Sequence, residues 1–127
     1  MATIVAPGDT GYPNFVTLST GQTGNGQSSN VADRRGTIGP ALLTITTTVG
    51  ATPTCTYAIE GSVDGVDWFA VAYADAATPE TASVATFVIT TAGTSRKILR
   101  RDHPWRYLRI TYSANTNVTN TATLATF

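Results

Sequence analysis

The sequence predicts an all-β protein, an antiparallel β-sandwich preceded by an extended N-terminal arm. Three observations predict it. Threonine fills 25 of the 127 positions, and with Val, Ile, Tyr and Phe in short runs it supplies stiff side chains that suit strands and disfavour helices. No segment keeps apolar residues at i, i+3, i+4 and i+7 over a helix-length window. From Pro40 onward, apolar runs and turn residues alternate at the roughly 8 to 12 residue rhythm of a sandwich or barrel.

Residues 1–40 stand apart. They hold seven of the eleven glycines and three of the six prolines, and they include the polar run Gly21 to Asn30. Such a segment buries too little apolar surface to offset its ordering entropy, so 1–40 is expected as an arm or long loop and 41–127 as the sandwich. Within the arm, 15–20 (Phe-Val-Thr-Leu-Ser-Thr) is expected as one strand, set against a neighbouring subunit.

Strands are expected near 41–49, 54–61, 66–73, 82–90, 95–100, 105–113 and 118–126. In the first, Leu43, Ile45, Thr47 and Val49 alternate with Leu42, Thr44, Thr46 and Thr48, giving one apolar and one threonine-rich face. In 105–113, Leu108, Ile110 and Tyr112 share a face opposite Trp105, Tyr107, Arg109 and Thr111. Half-apolar strands of this kind must cover one another in two layers. Gly50, Pro53, Gly61, Gly65, Pro79, Gly93 and Pro104 punctuate the runs.

Composition narrows the function. Charged residues make up 13% of the chain and the formal net charge is zero, so no general polyanion binder is expected. Cys55 is the single cysteine, which excludes an internal disulfide and any Cys-rich zinc pattern. Lying on the face of Tyr57 and Ile59, it reads as a buried, inert thiol. Met1 is followed by no basic region and no apolar stretch of signal length, and no run approaches membrane-span length. Folding in a cytoplasm, with no membrane partner, is the expectation.

The stretch EGSVDGVDW, residues 60–68, gathers Glu60, Asp64, Asp67 and Trp68 around an Asp-Gly pair. Asp64-Gly65 supplies the positive φ of a hairpin turn. As a calcium loop beginning at Glu60 the stretch would put Val71 where the bidentate carboxylate belongs, so no metal is expected. Trp68, Trp105 and Tyr107 are candidates for a sugar-stacking platform, although Trp68, in line with Val66, Ala70 and Ala72, also reads as a core anchor. His103 beside Asp102 makes no oriented dyad, because neighbours on an extended chain point apart. No nucleophile elbow or phosphate loop is present. No catalytic residue and no cofactor are expected.

Charge is segregated along the chain. Residues 60–80 hold five acids and no base, whereas 96–109 hold Arg96, Lys97, Arg100, Arg101, Arg106 and Arg109 against Asp102. Two readings stand level: intrachain ion pairs of little consequence, or copies of the chain meeting acid to base through Glu60, Asp64, Asp67, Arg96, Lys97, Arg100 and Arg101. A nucleic-acid partner is not expected, since no RNP, KH or zinc-finger pattern occurs.

Residues 57–68 (YAIEGSVDGVDW) followed by 106–110 (RYLRI) resemble the core hairpin and late strand of discoidin-like jelly-roll domains, many of which bind sugars or lipid headgroups. That resemblance implies a jelly-roll-like sandwich. The glycine-rich first 40 residues, the lone cysteine and the short loops depart from that family, so its ligand site does not carry over. The same hairpin, with the Thr/Ala/Gly-rich composition, also resembles tailed-phage head decoration (cement) proteins. This second resemblance implies a structural protein of the virion exterior, bound to the major capsid protein and trimeric, with arm residues Tyr12, Phe15, Arg34 and Arg35 making the contacts. The alternatives are a carbohydrate-binding module and a tail or neck fibre subunit.

Overall fold

The computed structural model describes residues 3–5, 14–34, 40–99 and 104–126. Ten strands occur among them: β1 (Thr3–Val5), β2 (Asn14–Gln22), β3 (Gly26–Gln27), β4 (Asn30–Asp33), β5 (Ala41–Ser62), β6 (Phe69–Ala70), β7 (Ala74–Asp75), β8 (Phe87–Ile89), β9 (Gly93–Leu99) and β10 (Tyr107–Thr126). No helix occurs among the described residues. All strands join one sheet, antiparallel except for the parallel pair β1–β4.

The frame is a ribbon of the two long strands. β5 and β10 pair from Tyr107↔Ser62 to Thr126↔Ala41, with register shifts between Ser113 and Val118. At that midpoint Thr52, Ala114 and Asn117 take φ of 47°, 49° and 55°, a left-handed conformation that favours bending over pleating. Side chains fasten the bend: Asn117 Nδ2 donates to the Ala51 carbonyl (2.6 Å), and the Val118 amide donates to Asn115 Oδ1 (3.1 Å).

Each half of the ribbon recruits its own neighbours. Residues 41–49 and 118–126 are flanked by β9 and β2, whereas 54–62 and 107–113 are flanked by β6 and β8 on one side and by β3 and β4 on the other. The two halves face each other as the layers of a sandwich whose corners are made by strands that change layer. Contacts across the layers show this: Tyr57 OH donates to Asn120 Oδ1, Ser19 Oγ and Tyr112 OH share a hydrogen bond, and Asn120 Nδ2 reaches Cys55 Sγ at 3.8 Å.

The interior is what the alternation dictates. Leu43, Ile45, Val118, Ala122, Leu124, Val16 and Leu18 line one layer, and Cys55, Tyr57, Ile59, Leu108, Ile110 and Tyr112 the other. Each large apolar side chain buried here contributes about 1.5–3 kcal/mol relative to exposure. Tyr57 stacks on Phe87 (5.1 Å between centroids, 8°) and meets Tyr112 edge-on (5.5 Å, 75°).

Four expectations change. The runs 41–49 and 54–61 are one strand, as are 105–113 and 118–126, because Gly50, Pro53 and the Asn-rich stretch bend the ribbon without ending it. The expected strands 66–73 and 82–90 shrink to β6 and β8. Strand 95–100 begins earlier, at Gly93. Most of the described part of the expected arm is sheet: β2 and β4 pair with β10 of their own chain, and Val16, Leu18, Val31 and Ala32 are buried. The run 15–20 alternates inward and outward residues well enough to join the core, and the glycine-rich stretch between β2 and β4 is only their connection. Residues 1–2, 6–13 and 35–39, including Tyr12 and Arg35, lie outside the described residues, as do Arg100, Arg101 and His103.

Candidate interaction surface

Two outer sheet faces are presented to solvent, and they differ in chemistry. On the layer containing 54–62 and 107–113, Tyr107, Arg109 and Thr111 point outward opposite Ser62, Glu60 and Ala58. Arg109 Nε donates to Glu60 Oε1 (2.9 Å), Thr111 Oγ1 donates to the same oxygen, and the Trp68 ring lies over the Arg109 guanidinium at 4.0 Å. Arg106 sits over the Tyr107 ring at 5.1 Å and pairs through Nε with the buried Asp33 (3.1 Å).

Trp68 reaches this face because its loop is capped from within. Asp64 Oδ1 accepts the amides of Val66 (2.8 Å) and Asp67 (3.0 Å) and the Ser62 hydroxyl (3.0 Å), and Gly65 takes φ of 80°. The backbone N–H of Asp67, then that of Val66, then the Ser62 hydroxyl, hold the Asp64 carboxyl below its ordinary pKa. The hairpin expected at Asp64-Gly65 is therefore a six-residue loop between β5 and β6, not a two-residue turn. Trp68 is half-buried on the outside, so the core-anchor reading fails for it. Trp105 is the indole that turns inward: it stacks on Phe69 (5.5 Å, 19°) and packs against the core beside Gly61. A sugar platform would therefore rest on Trp68 and Tyr107 without Trp105.

Several of the charged residues find partners within the chain. Glu60 pairs with Arg109, and Lys97 with Asp75, its Nζ 4.6 Å from the Phe87 ring centre. Asp64 is used by its own loop. Asp67 and Arg96 are exposed. Of the two level readings, intrachain pairing accounts for Glu60 and Lys97. Arg34, expected as an arm contact, is 7% exposed, and its Nε donates to the Trp105 carbonyl (2.8 Å). Phe15 is 68% exposed on β2.

The second outer face belongs to the layer of β9, 41–49, 118–126 and β2. Here the register lines threonines up across the central pair: Thr44↔Thr123, Thr46↔Thr121 and Thr48↔Thr119, extended by Thr17 opposite Thr123 and Thr94 opposite Thr46. Arg96 lies opposite Thr44. One end of this ladder runs into an apolar row, Phe15–Ala125–Leu42–Ile98, beside a hollow of about 200 Å³ lined by Pro40, Ala41, Leu42 and Ile98. The other end opens into a hollow of about 390 Å³ at the bend, lined by Thr23, Thr48, Val49, Gly50, Asn117, Val118 and Thr119. The threonine face of 41–49 was legible in the sequence. Its continuation was missed, although the same Thr-x-Thr-x-Thr alternation recurs at 119–123.

Between the layers, burial pushes the Cys55 thiol up, partly countered by hydrogen bonds with Tyr57 and Asn120. It is buried, as expected, and held as the neutral, unreactive form. Burial likewise lifts the Tyr57 phenol well above its ordinary value and pushes Tyr112 up to about 12.

No family model matches the chain, and no curated protein does. Among solved structures, the SPBc2 prophage-derived protein YomS superposes on it with a TM-score of 0.66, covering 90% of this chain and 92% of that one at 8% identity. PirA aligns with a TM-score of 0.42 and 12% identity over 94% and 97% of the two chains. The likeness to YomS is one of fold.

Proposed function

We propose that the chain is a non-enzymatic structural protein of a phage particle, a decoration protein that binds the major capsid lattice from outside. The observation that carries this reading is the fold shared over nine-tenths of the chain with a prophage-derived protein. The surface is in keeping with it: Glu60, Arg109, Lys97, Asp75, Asp33 and Arg106 are paired within the chain, and open sheet faces, suited to protein contact, are what the described residues offer. Binding to capsids of the phage that encodes the chain tests the proposal. Co-sedimentation of purified protein with those capsids should saturate at a fixed number of copies per capsid. A protein left wholly in the supernatant at saturating concentration overturns it.

A carbohydrate-binding role is the second reading, favoured by one observation: half-exposed Trp68, backed by Arg109, sits beside the Glu60 carboxylate and Tyr107 on an open face. An indole on such a face offers a stacking plane with polar groups at its rim. A glycan array separates the two readings, since decoration requires no sugar binding and the sugar reading requires binding that is lost in Trp68→Ala.

A further inference from the structure

We propose that two copies of this chain associate about a two-fold axis through the outer face of the β9-β5-β10-β2 layer, the Phe15 ring of each copy seating in the apolar hollow at Pro40, Leu42 and Ile98 of the other. This inference rests on the described sheet alone and stands whether or not the protein decorates a capsid.

The knob and the hollow occupy opposite ends of one row. Register places Phe15 beside Ala125, Ala125 beside Leu42, and Leu42 beside Ile98. Phe15 is 68% exposed, an apolar ring with most of its surface in water. The hollow measures about 200 Å³ and presents apolar atoms of Pro40, Leu42 and Ile98. With strands about 4.8 Å apart, three strand spacings separate Phe15 from Ile98, roughly 14 Å, so the ring cannot fill the hollow of its own chain.

A second copy can. A two-fold axis parallel to the strands, running between β5 and β10, lays β2 of each copy over β9 of the other. Each Phe15 then stands over Ile98 and Leu42 of the facing copy. Such an isologous contact makes the same insertion twice. The same operation stacks the threonine ranks on one another and places Arg96 over Thr17 of the second copy, roughly 14 Å in-plane from the other Arg96. Arg96 is the one charged residue among those described on this face, so the contact buries no like-charged pair. A partner recognised by charge would find little here to bind.

Four strands and four ranks of side chains span roughly 20 by 25 Å, so about 1,000 Å² is buried in total, the lower bound for a specific interface. The association should be correspondingly weak and concentration-dependent.

Sedimentation equilibrium across about two decades of concentration should show monomer passing to dimer. Phe15→Asp and Ile98→Asp should each weaken the dimer at least tenfold, the effect of removing a central apolar anchor. Near-ultraviolet circular dichroism will show whether each variant keeps the wild-type fold. Independently of stability, Phe15→Cys combined with Ile98→Cys should give a disulfide-linked dimer on mild oxidation, because Cys55 is buried. The same pair should give no cross-link when Thr94→Cys replaces Ile98→Cys. A wild-type chain that stays monomeric throughout, a trimer, a dimer unaffected by both Asp variants, or equal cross-linking at Thr94 overturns the proposal.

Discussion

Gly61→Ala is the substitution in which one added methyl group should do the most damage. Gly61 lies in β5 between Phe69 of β6 and Leu108 of β10. A Cβ built there falls 2.3 Å from Trp105 Cγ, 2.6 Å from Cδ1 and 2.8 Å from Cβ. Carbon atoms pack at about 3.5–4.0 Å, so the methyl overlaps the root of the indole by about an ångström, where rotating the ring brings little relief. Trp105 is held from two further sides, by stacking on Phe69 and by the Arg34 Nε hydrogen bond to its carbonyl. Overpacking of this kind costs about 1–3 kcal/mol. The stiffer unfolded chain of the alanine variant returns about 0.4–1 kcal/mol, which leaves a net loss of about 1–2 kcal/mol. At roughly 2.1 cal/mol/K per residue of unfolding entropy, that lowers Tm by about 4–8 °C. Urea unfolding followed by circular dichroism gives the free energy, and tryptophan emission should shift to the red as Trp105 is displaced. Gly24→Ala, where an added Cβ meets nothing within 4 Å, is the control and should change stability by less than about 0.5 kcal/mol. A Gly61→Ala protein as stable as wild type, with unshifted emission, would refute the reasoning.

The cross-layer bond between Tyr57 and Asn120 can be taken apart in a double-mutant cycle. Asn120→Ala removes the acceptor of the buried Tyr57 hydroxyl, leaving it only the weakly hydrogen-bonding Cys55 thiol, and should cost about 1–3 kcal/mol, whereas adding Tyr57→Phe to it should recover about 1 kcal/mol, read by urea unfolding. Alkali should destabilise the fold. Tyr57 and Tyr112 have folded pKa values above the ordinary phenol value near 10, so the unfolded state loses its phenol protons first. Their contribution is complete below about pH 10 and falls as pH rises through about 12. Absorbance titration should show two of the five tyrosines ionising only as the fold is lost, and five that titrate together near pH 10 would contradict the burial. Cys55 should resist thiol reagents in the native protein and react at the rate of global opening, so labelling as fast as in urea would place it outside the core.

Period-two alternation made the interior legible because burial on one face leaves a direct mark on every second residue: Leu43, Ile45, Tyr57, Ile59, Leu108, Ile110 and Tyr112 are all buried as the pattern requires. What alternation cannot report is whether a break in it ends a strand or bends one. Gly50, Pro53 and the run 113–117 look like loop residues, yet Thr52, Ala114 and Asn117 turn the backbone while pairing continues on both sides. Composition misled in the first third of the chain for a related reason. Glycine and serine between 21 and 29 outweighed the short strand signal beside them, although only four or five inward side chains are needed for β2 and β4 to be held by β10. The two tryptophans were indistinguishable by pattern, since the Asp64-capped loop decides which face Trp68 reaches and Gly61 provides the space Trp105 fills. The first depends on side-chain caps that alternation does not report, and the second joins residues far apart in sequence.

Because one bent ribbon supplies the centre of both layers, neither layer is a unit that can form by itself. Residues 41–49 bury Leu43 and Ile45 only when 54–62 has folded back with Tyr57 and Cys55, and Asn120 is satisfied only by groups from the opposite layer. Pairs such as Tyr57–Asn120 and Ser19–Tyr112 lie 63 and 93 residues apart, so loop closure precedes most of the favourable contact and folding should be slow for a chain of this size. The same economy explains the threonine faces. A strand whose inward residues are fixed by packing still needs β-branched residues outside to hold its extended conformation, and threonine does this without presenting a continuous apolar surface. On that background the exposed Phe15 and the apolar hollow at Leu42 and Ile98 are departures from the rule the rest of the face obeys. Strand propensity alone would have been served by two more threonines, which is why the pair is read as a contact and the threonines as support.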